Sequence, residues 1–413
     1  MARRGRTAGE GVTPVEGETG RVERLAAWHS GLRAEFPIIT RHPELAYLDS
    51  AATAQKPRAV LDAVQEYLTT SNANAGRGTY PWANRTTAII EGTRNRVKAF
   101  LDDPSPDTSE VHFTSGTTEG LRLVALDWLV HQLRDGDEII VPSADHQANI
   151  SPWHEAVEVL ARQGTGVTVR AMPYQLSSGD YDTEALAGLV SSRTRFVAAT
   201  HVHHVYGGDM NVHRIRRTVG PDVTICLDAA QSVGHLPVSM KALDVDFVAF
   251  SGHKALALPG SGALWSRNAR GTPHTPRGWN GTPNTVGVAS LDAALEWLER
   301  AGLERVEEWT VRLAARLTDG LRALPPYEVL GCQRSLAADS PVQQRHGIVT
   351  FRHRAIDSVD LGFILFSHGF MVRTDGLCQG GAGGSRSSVR VSLHVYNSRE
   401  EVDRLLGVLA DLA

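Results

Sequence analysis

Residues 247–254 read Phe247-Val248-Ala249-Phe250-Ser251-Gly252-His253-Lys254, an apolar run followed by two small residues, an imidazole and a lysine. An apolar run of this length is consistent with a buried strand. The chain has only four lysines, and Lys254 alone follows such a strand. A lysine there suits a nucleophile that forms a Schiff base near a bound phosphate. The same pattern also fits an ordinary surface lysine at the end of a strand.

The surrounding sequence alternates between apolar runs and helical patterns. Strands are predicted at 110–114, 138–141, 167–171, 195–200, 223–227, 247–250 and 262–265. Strands separated by helices predict an α/β fold with a mostly parallel sheet covered by helices on both faces. Ligands of such sheets bind at the carboxyl ends of the strands. Lys254 is therefore expected at a ligand site.

The sequence before this region is mainly helical. Helices are predicted at about 21–36, after Pro57 and at about 85–101, with a polar loop at 72–82. Pro37 is expected to end the first helix, because proline lacks the amide donor that a helix interior needs.

The C-terminal region reads as a smaller α+β unit. Helices are predicted at 290–300, 304–324 and 357–368, and strands at 327–330, 347–351, 370–373 and 389–393. Ser398 and Glu401 form a capping box that opens a final helix. The glycine- and serine-rich run 379–388 is expected to be a mobile loop.

The domain organisation follows from these patterns. We expect a disordered lead at 1–20, an N-terminal segment at 21–45 that packs on the small domain, a large cofactor-binding domain at 46–285 and a small C-terminal domain at 286–413.

Bulk composition indicates a globular protein. Hydrophobic residues make up 42% of the chain, charged residues 21%, and the net charge is -4. No basic face is evident beyond Arg3-Arg4-Arg6, and no apolar run could span a bilayer, so neither nucleic acid nor membrane is an expected partner. The cysteines Cys226, Cys332 and Cys378 show no metal-like spacing, which favours a reducing, cytoplasmic setting.

Three further motifs follow predicted strands. Thr114-Ser115-Gly116-Thr117-Thr118-Glu119-Gly120 opens a helix, where free backbone N–H groups and hydroxyls can bind an anion or simply cap the helix. Asp228 ends an apolar run and could cap a helix or pair with a protonated heterocyclic nitrogen. His146 could stack on a ring, transfer protons or be merely solvated. Together with Lys254 these groups match the needs of pyridoxal 5′-phosphate (PLP).

The sequence resembles the class V aminotransferase family of fold-type I PLP enzymes, with the closest likeness to Suf-type cysteine desulfurases and selenocysteine lyases. The resemblance runs from about Phe36 to the C-terminus. Its motifs are Tyr47-Leu48-Asp49-Ser50-Ala51-Ala52, Gly116-Thr117-Thr118-Glu119-Gly120, His146 with Ala148-Asn149 and Pro152-Trp153, Asp228 with Gln231, Ser251-Gly252-His253-Lys254, Gly281-Thr282-Pro283-Asn284, Arg373-Thr374 with Cys378, and Arg390 before Ser392-Leu393.

The resemblance implies how PLP would be bound. Lys254 would attach it covalently and later move the Cα proton, while His146 would stack on the ring. Asp228 would keep the pyridine nitrogen protonated, and Gln231 would hydrogen-bond the ring hydroxyl. The groups expected to hold the phosphate are Thr117, Thr118, Ser251 and His253, with Thr282 reaching the phosphate of the other subunit of a homodimer.

The resemblance also implies a substrate side. Arg390 would pair with the substrate α-carboxylate through its planar fork, and Arg373 is a further substrate-side candidate. Cys378 stands where the desulfurases carry the cysteine that attacks the substrate sulfur, and it could instead be an incidental thiol. A persulfide there would pass its sulfur to an acceptor protein.

Three departures from the family all touch the substrate side. His203-His204 replaces the usual Ser-Asn, and Tyr80 stands where an active-site histidine is expected. The segment between Cys378 and Arg390 is shorter than usual and rich in glycine.

Three functions follow from these motifs and departures. The leading hypothesis is cleavage of the C–S bond of cysteine or a cysteine-like amino acid. The second is a biosynthetic tailoring enzyme that performs β-elimination, decarboxylation, epimerisation or transamination on a modified amino acid. The third is a non-catalytic scaffold.

Overall fold

The computed structural model describes residues 18–76, 78–175, 179–267, 282–331, 345–374, 379–381 and 388–413. The α-helices are α1 Glu18–Arg33, α2 Pro37–Arg41, α3 Arg58–Thr70, α4 Pro81–Phe100, α5 Thr117–Leu123, α6 Ser151–Arg162, α7 Thr183–Leu189, α8 Val212–Val219, α9 Met240–Leu243, α10 Thr285–Ala301, α11 Leu303–Arg322, α12 Ser358–Ser367 and α13 Arg399–Asp411. Helix α5 continues as a π-helix over Val124–Trp128, and short 3₁₀ turns cover Leu129–His131 and Gln147–Asn149.

The strands are β1 Ala46–Tyr47, β2 Glu110–Thr114, β3 Glu138–Pro142, β4 Ala144–His146, β5 Thr168–Met172, β6 Tyr174–Gln175, β7 Asp180–Tyr181, β8 Thr194–Thr200, β9 Thr224–Asp228, β10 Phe247–Ser251, β11 Gly262–Ser266, β12 Tyr327–Leu330, β13 Ile348–His353, β14 Phe370–Met371, β15 Arg373–Thr374, β16 Gln379–Gly381 and β17 Val389–Ser392.

A seven-stranded sheet in the order β2-β11-β10-β9-β8-β3-β5 forms the centre of the molecule. Its strands are parallel except β11, which runs antiparallel to both neighbours. All seven predicted strands lie in this sheet, with each end within one residue of its predicted position. The prediction of an α/β fold with a mostly parallel sheet is therefore confirmed.

Strand β10 shows why such a sequence forms a central strand. Val248 and Phe250 pack into one hydrophobic cluster, while Phe247 and Ala249 pack into another on the opposite face. Because alternate side chains of a strand point to opposite faces, a strand covered on both sides must be apolar throughout. Every residue of β3, β9 and β10 is buried.

A second sheet, in the order β12-β13-β17-β15, is antiparallel. It packs with residues of α11, α12 and α13 in a separate hydrophobic cluster. Arg390 on β17 pairs in register with Arg373 on β15, and a bridge joins Asp49 to Ser392. This sheet thereby carries both arginines towards the chain segment that follows β1.

The structure corrects three expectations. Pro37 ends no helix but begins α2, since the first helical position needs no amide donor. Helix α4 likewise begins at Pro81, inside the expected loop 72–82. Within the expected mobile loop 379–388, residues 379–381 form β16, which pairs antiparallel with β4 through backbone groups that glycine retains. Residues 382–387 lie outside the described part of the chain.

Within the described residues, no helix combines the length and hydropathy needed to cross a membrane. Residues 1–17, which cover most of the expected disordered lead, lie outside the described part of the chain. The proposed domain boundaries stay predictions.

Candidate active site

A cavity of about 380 Å³ opens at the carboxyl ends of β8, β9 and β10. It brings together most of the predicted site residues, which are distributed over the chain from 117 to 390. Those that line it are Thr117, Thr118, His146, His204, Asp228, Gln231, Ser251, His253, Lys254, Arg373 and Arg390.

One end of the cavity is built for an anion. Helix α5 begins there after Gly116, whose φ of 154° is a conformation that favours glycine. The Thr117 backbone N–H donates to Ser251 Oγ at 2.9 Å, and the two hydroxyls lie 2.8 Å apart. A Cβ on Gly116 would come within 3.0 Å of Ser251 Oγ. The close approach of Gly116 to Ser251 brings hydroxyl and amide groups together at the N-terminus of α5, which is the positive end of the helix dipole.

His253 lies beside this cluster and is half-buried. Burial, and after it the nearby charges of Lys254 and Lys56, lowers the pKa of its imidazole to about 4. A ring N–H of His253 can donate a hydrogen bond to an anion.

Asp228 lies at the end of β9 with only 5% of its surface exposed. Its Oδ1 accepts a hydrogen bond from the Ala230 N–H at 2.9 Å. Burial raises the pKa of this carboxyl, while the Ala230 hydrogen bond and the charge of Lys254 act in the opposite direction. A buried carboxylate of this kind fits a cationic partner, such as a protonated pyridine nitrogen.

A backbone hydrogen bond fixes the orientation of the His146 ring. Its Nδ1 accepts a hydrogen bond from the Ala148 N–H at 3.1 Å. Burial lowers its pKa to about 4, and the charges of Lys254 and Arg390 contribute. A neutral, oriented imidazole is suited to stacking on a flat ring. Gln231 donates from Nε2 to the Ala51 carbonyl at 3.0 Å on the cavity wall.

Asp49, which the sequence analysis named only within a family motif, contacts both arginines of the predicted substrate side. Its Oδ1 accepts from Arg390 Nη2 at 3.0 Å, and its Oδ2 lies 3.6 Å from Arg373 Nη1. Arg390 Nη1 donates to the His204 carbonyl at 3.0 Å. Two guanidinium groups thus meet at one carboxylate beside the cavity. One sequence feature could have identified Asp49 as a site residue: it directly follows the apolar pair Tyr47-Leu48. The same pattern identified Asp228.

Asp145 also lines the cavity, although the sequence analysis did not identify it as a site residue. It accepts hydrogen bonds from Asn149 Nδ2 at 2.9 Å, from Tyr181 OH at 3.2 Å and from the His146 N–H at 2.7 Å. Burial raises its pKa to about 7, and the neighbouring charge of Asp228 acts in the same direction.

Two predicted residues that the structure describes, Tyr80 and Thr282, do not line this cavity. Tyr80 is 51% exposed, and Thr282 is exposed. Cys378 lies outside the described residues. Gln379, which follows it in the sequence, pairs with His146 across β16 and β4.

Comparison with known proteins agrees with this geometry. The profile of the family described as aminotransferase class-V matches residues 46–405. The chain belongs to the class V aminotransferase family. A cysteine desulfurase from Cronobacter sakazakii is 34% identical over 409 residues, covering 92% of this chain and 96% of its own.

Solved structures of cysteine desulfurases are also similar to this chain. The apo cysteine desulfurase of Thermococcus onnurineus NA1 is 29% identical, with a TM-score of 0.80 over 93% of this chain and 97% of its own. A cysteine desulfurase of Escherichia coli, solved with an S-sulfonic acid, is also 29% identical, with a TM-score of 0.76 over 93% and 98% of the two chains.

Enzymes of this family depend on PLP, and the class V chain described here has the residues to hold it. The donor cluster of Thr117 and Ser251 fits a phosphate, the buried Asp228 fits the pyridine nitrogen, and the neutral ring of His146 fits a stacked partner. Lys254 lines the same cavity, where its amine would attach the cofactor.

Proposed function

We propose that this enzyme cleaves the C–S bond of cysteine or of a cysteine-like amino acid. The observation that carries the proposal is that Lys254, Asp228 and Arg390 line a single cavity. The names of its relatives support the same reaction. When bound, PLP withdraws electrons from the Cα atom of an attached amino acid.

Side chains of the protein bind the substrate, move the proton and hold the cofactor ring. Arg390 binds the α-carboxylate with its guanidinium fork, which orients the substrate over the cofactor ring. Lys254 Nζ takes the Cα proton and returns a proton to carbon. Asp228 stabilises the positive charge on the pyridine nitrogen. His146 holds the ring in one plane.

Cys378 is the proposed sulfur acceptor. Its thiolate attacks the substrate sulfur, so that an S–S bond forms as the C–S bond breaks. The C–S electron pair stays with the carbon skeleton, which is protonated and leaves as alanine when cysteine is the substrate. The persulfide sulfur then passes to an acceptor protein. The pairing of Gln379 with His146 supports this role, since Gln379 adjoins Cys378 in the sequence.

The experiment is peptide mass spectrometry after cysteine treatment of the PLP-loaded enzyme. We expect a persulfide on the Cys378 peptide of the wild-type enzyme. When a thiol reductant is added to reduce the persulfide to sulfide, sulfide release should be lost in Cys378→Ala. Cys226 serves as an internal control, because burial raises the pKa of its thiol well above the ordinary value and keeps it unreactive. Equal turnover by wild type and Cys378→Ala, without a persulfide, would contradict the proposal.

A second candidate is β-elimination from an S-substituted cysteine in a biosynthetic pathway. The buried imidazole of His204 on the cavity wall favours it, because this side chain adds a proton-transfer group to the substrate side. Product analysis with S-alkyl cysteines against free cysteine separates the two. A thiol product that needs no Cys378 would support elimination.

We also propose that the enzyme is a homodimer in a reducing cytoplasm. Large apolar side chains are exposed at α3 and at the start of α4, and an ion pair of 3.6 Å between Arg85 and Glu66 joins the two helices. The exposed side chains are Leu61, Leu68, Tyr80 and Trp82. Exposed large apolar side chains on neighbouring helices suit a protein interface. Sedimentation equilibrium of wild type and Trp82→Glu tests it, with a dimer that dissociates in the variant as the expected result.

A further inference from the structure

The amine of Lys56 is surrounded by oxygen atoms next to a residue that lines the cavity. Lys56 Nζ donates hydrogen bonds to the Ala54 carbonyl, to Thr53 Oγ1 at 3.4 Å and to the His253 carbonyl at 3.4 Å. A lysine ammonium has three N–H groups and accepts no hydrogen bond. The three oxygens therefore match the donors of the protonated amine one for one.

Three donors converge on the His253 carbonyl. In addition to the ammonium, they are the Ala54 N–H at 2.9 Å and Thr53 Oγ1 at 3.4 Å. This carbonyl belongs to the peptide group that joins His253 to Lys254. The N–H of the same peptide group donates to the Ser251 carbonyl at 3.2 Å. Both polar atoms of the peptide are therefore held, which restricts the direction in which the Lys254 side chain leaves the backbone.

The segment that carries these donors is itself fixed against the site. The Ala51 carbonyl accepts from Gln231 Nε2 at 3.0 Å, and both residues line the cavity. The Gln55 N–H donates to the hydroxyl of the buried Tyr396 at 3.2 Å. Because segment 51–56 is anchored on both sides, the donors on it have a set position relative to the cavity.

The charge of Lys56 strengthens its hold on the peptide. Burial lowers the pKa of the amine to about 8, so the protonated form still predominates at pH 7. Hydrogen bonds with a charged donor are roughly twice as strong as neutral ones. Loss of the ammonium would therefore weaken the contact with the peptide that precedes Lys254.

We propose that Lys56 is a positioning residue, which directs the Lys254 side chain by holding the peptide group between His253 and Lys254. Lys254 moves the Cα proton, and Lys56 acts only through it. This role rests on the proposed function in that Lys254 is the lysine that serves the cofactor. Positioning of this kind matters because a misplacement of about 1 Å can lower a rate roughly 100-fold.

The competing explanation is that Lys56 itself attaches the cofactor. Lys254 lines the cavity, whereas Lys56 is not among the described residues that do so. To reach the cavity, the Lys56 amine would have to give up its hydrogen bonds to Ala54, Thr53 and His253. The geometry therefore favours a positioning role.

Exchange of the Cα proton of alanine in D₂O tests the proposal without any C–S cleavage, because alanine contains no sulfur. The PLP-loaded enzyme is incubated with alanine, and proton NMR follows the replacement of hydrogen by deuterium. Lys56→Met keeps an unbranched side chain but removes the ammonium. We expect this variant to lower the maximal exchange rate roughly 10–100-fold. The half-saturating alanine concentration should stay unchanged, since Arg390 is intact.

The second readout is the rate at which PLP becomes attached to the apoenzyme. Samples taken over time are reduced with borohydride, and peptide mass spectrometry measures the adduct on the Lys254 peptide. We expect attachment to be roughly 10-fold slower in Lys56→Met. This readout decides the proposal even if the wild-type enzyme does not accept alanine. Unchanged attachment in Lys56→Met, or an adduct on Lys56 in the wild-type enzyme, would overturn it.

Lys98→Met is the matched control. Lys98 Nζ also donates to backbone carbonyls, those of Pro106 at 2.6 Å and Ser109 at 2.7 Å, and Lys98 is not among the described residues of the cavity wall. The same substitution there should leave the exchange and attachment rates as in wild type. An equal loss in Lys98→Met and Lys56→Met would indicate general destabilisation and contradict the positioning role.

A second variant covers the case in which Lys56→Met does not fold. Thr53→Val removes a hydroxyl that accepts from Lys56 and donates to the His253 carbonyl. We expect a smaller loss in both readouts, and wild-type rates in Thr53→Val would then contradict the proposal. If wild type releases no sulfur from cysteine while Lys56→Met still slows attachment at Lys254, the proposed function fails and the positioning role stands.

Discussion

Arg390 shows how a single residue links the sequence to the chemistry of the site. Its guanidinium is 5% exposed and pairs with Asp49, while a second nitrogen donates to the His204 carbonyl. The sequence predicted Arg390 through its family resemblance but missed Asp49, because the pair joins positions 341 residues apart. Asp145 was missed for a similar reason: its partner Tyr181 comes from a distant strand. Partners of this kind are set by tertiary packing.

Replacing Arg390 by lysine tests its role. Lysine keeps the charge but loses the fork, and a charge-assisted hydrogen bond contributes about 1.5–3 kcal/mol. We therefore expect KM for cysteine to rise roughly 10–100-fold, with a smaller change in kcat. Steady-state kinetics measure both.

The matched control for Arg390→Lys is Arg352→Lys, which changes an arginine that pairs with Glu328 on the antiparallel sheet away from the cavity. It should leave KM unchanged. An unaltered KM in Arg390→Lys, with normal cofactor content, would show that another group binds the α-carboxylate.

At the scale of elements, the central strands were predictable because a strand buried on both faces must be apolar along its whole length, as β10 is. The glycine-rich β16 was not predictable, since its pairing with β4 uses only backbone groups. Helix α2 was missed because Pro37 is compatible with a helix start as well as a helix end.

Gly116 tests the junction between β2 and α5. Its φ of 154° strains any other residue, and an added Cβ would crowd Ser251 Oγ at 3.0 Å. We expect Gly116→Ala to weaken PLP binding by roughly 10-fold or more, given about 1–3 kcal/mol of backbone strain. Fluorescence titration of the apoenzyme with PLP measures the affinity.

Gly188→Ala is the control for the Gly116 substitution. Gly188 lies in α7 with open space around its Cβ position. This change should leave PLP affinity as in wild type. Equal affinity of Gly116→Ala and wild type would contradict the role of this junction in holding the phosphate.

At the scale of the whole molecule, buried neutral histidines should make the protein sensitive to acid. Burial lowers the pKa of His29 and His201 to about 4, and of His203 and His235 to about 3. A histidine whose pKa is lowered in the folded state contributes stability when the pH is above 6.5, its ordinary pKa. This stability is lost as the pH falls from 6.5 towards the pKa of the folded state.

The raised pKa of Asp145 changes the free energy of unfolding in the opposite direction. Its folded pKa of about 7 lies above the ordinary 3.8, so its contribution is present below 3.8 and is lost as the pH rises through about 7. Burial also lowers the pKa of His146, His204, His253 and His394, and these eight histidines outnumber the carboxyls whose pKa burial raises, which are Asp145, Asp228 and Glu307. Protons are therefore taken up on unfolding, and the free energy of unfolding should fall between about pH 6 and pH 5 by about 1.4 kcal/mol per pH unit for each net proton.

Urea unfolding of the PLP-loaded enzyme at several pH values measures this slope. His201→Asn should reduce the number of protons taken up on unfolding by roughly one, and so make the slope shallower. His154→Asn, at an exposed site on α6, should leave the slope unchanged. A free energy of unfolding that is level across this pH range would contradict the assignment of neutral buried histidines.

The most direct measurement of the central claim is borohydride reduction of the PLP-loaded enzyme, followed by digestion and peptide mass spectrometry. We predict a pyridoxyl-phosphate mass on the peptide that carries Lys254, and its loss in Lys254→Ala. Lys56 is the informative comparison, because it is the other lysine near the cavity and burial lowers its pKa to about 8. An adduct on Lys56, or on no lysine, would contradict the account.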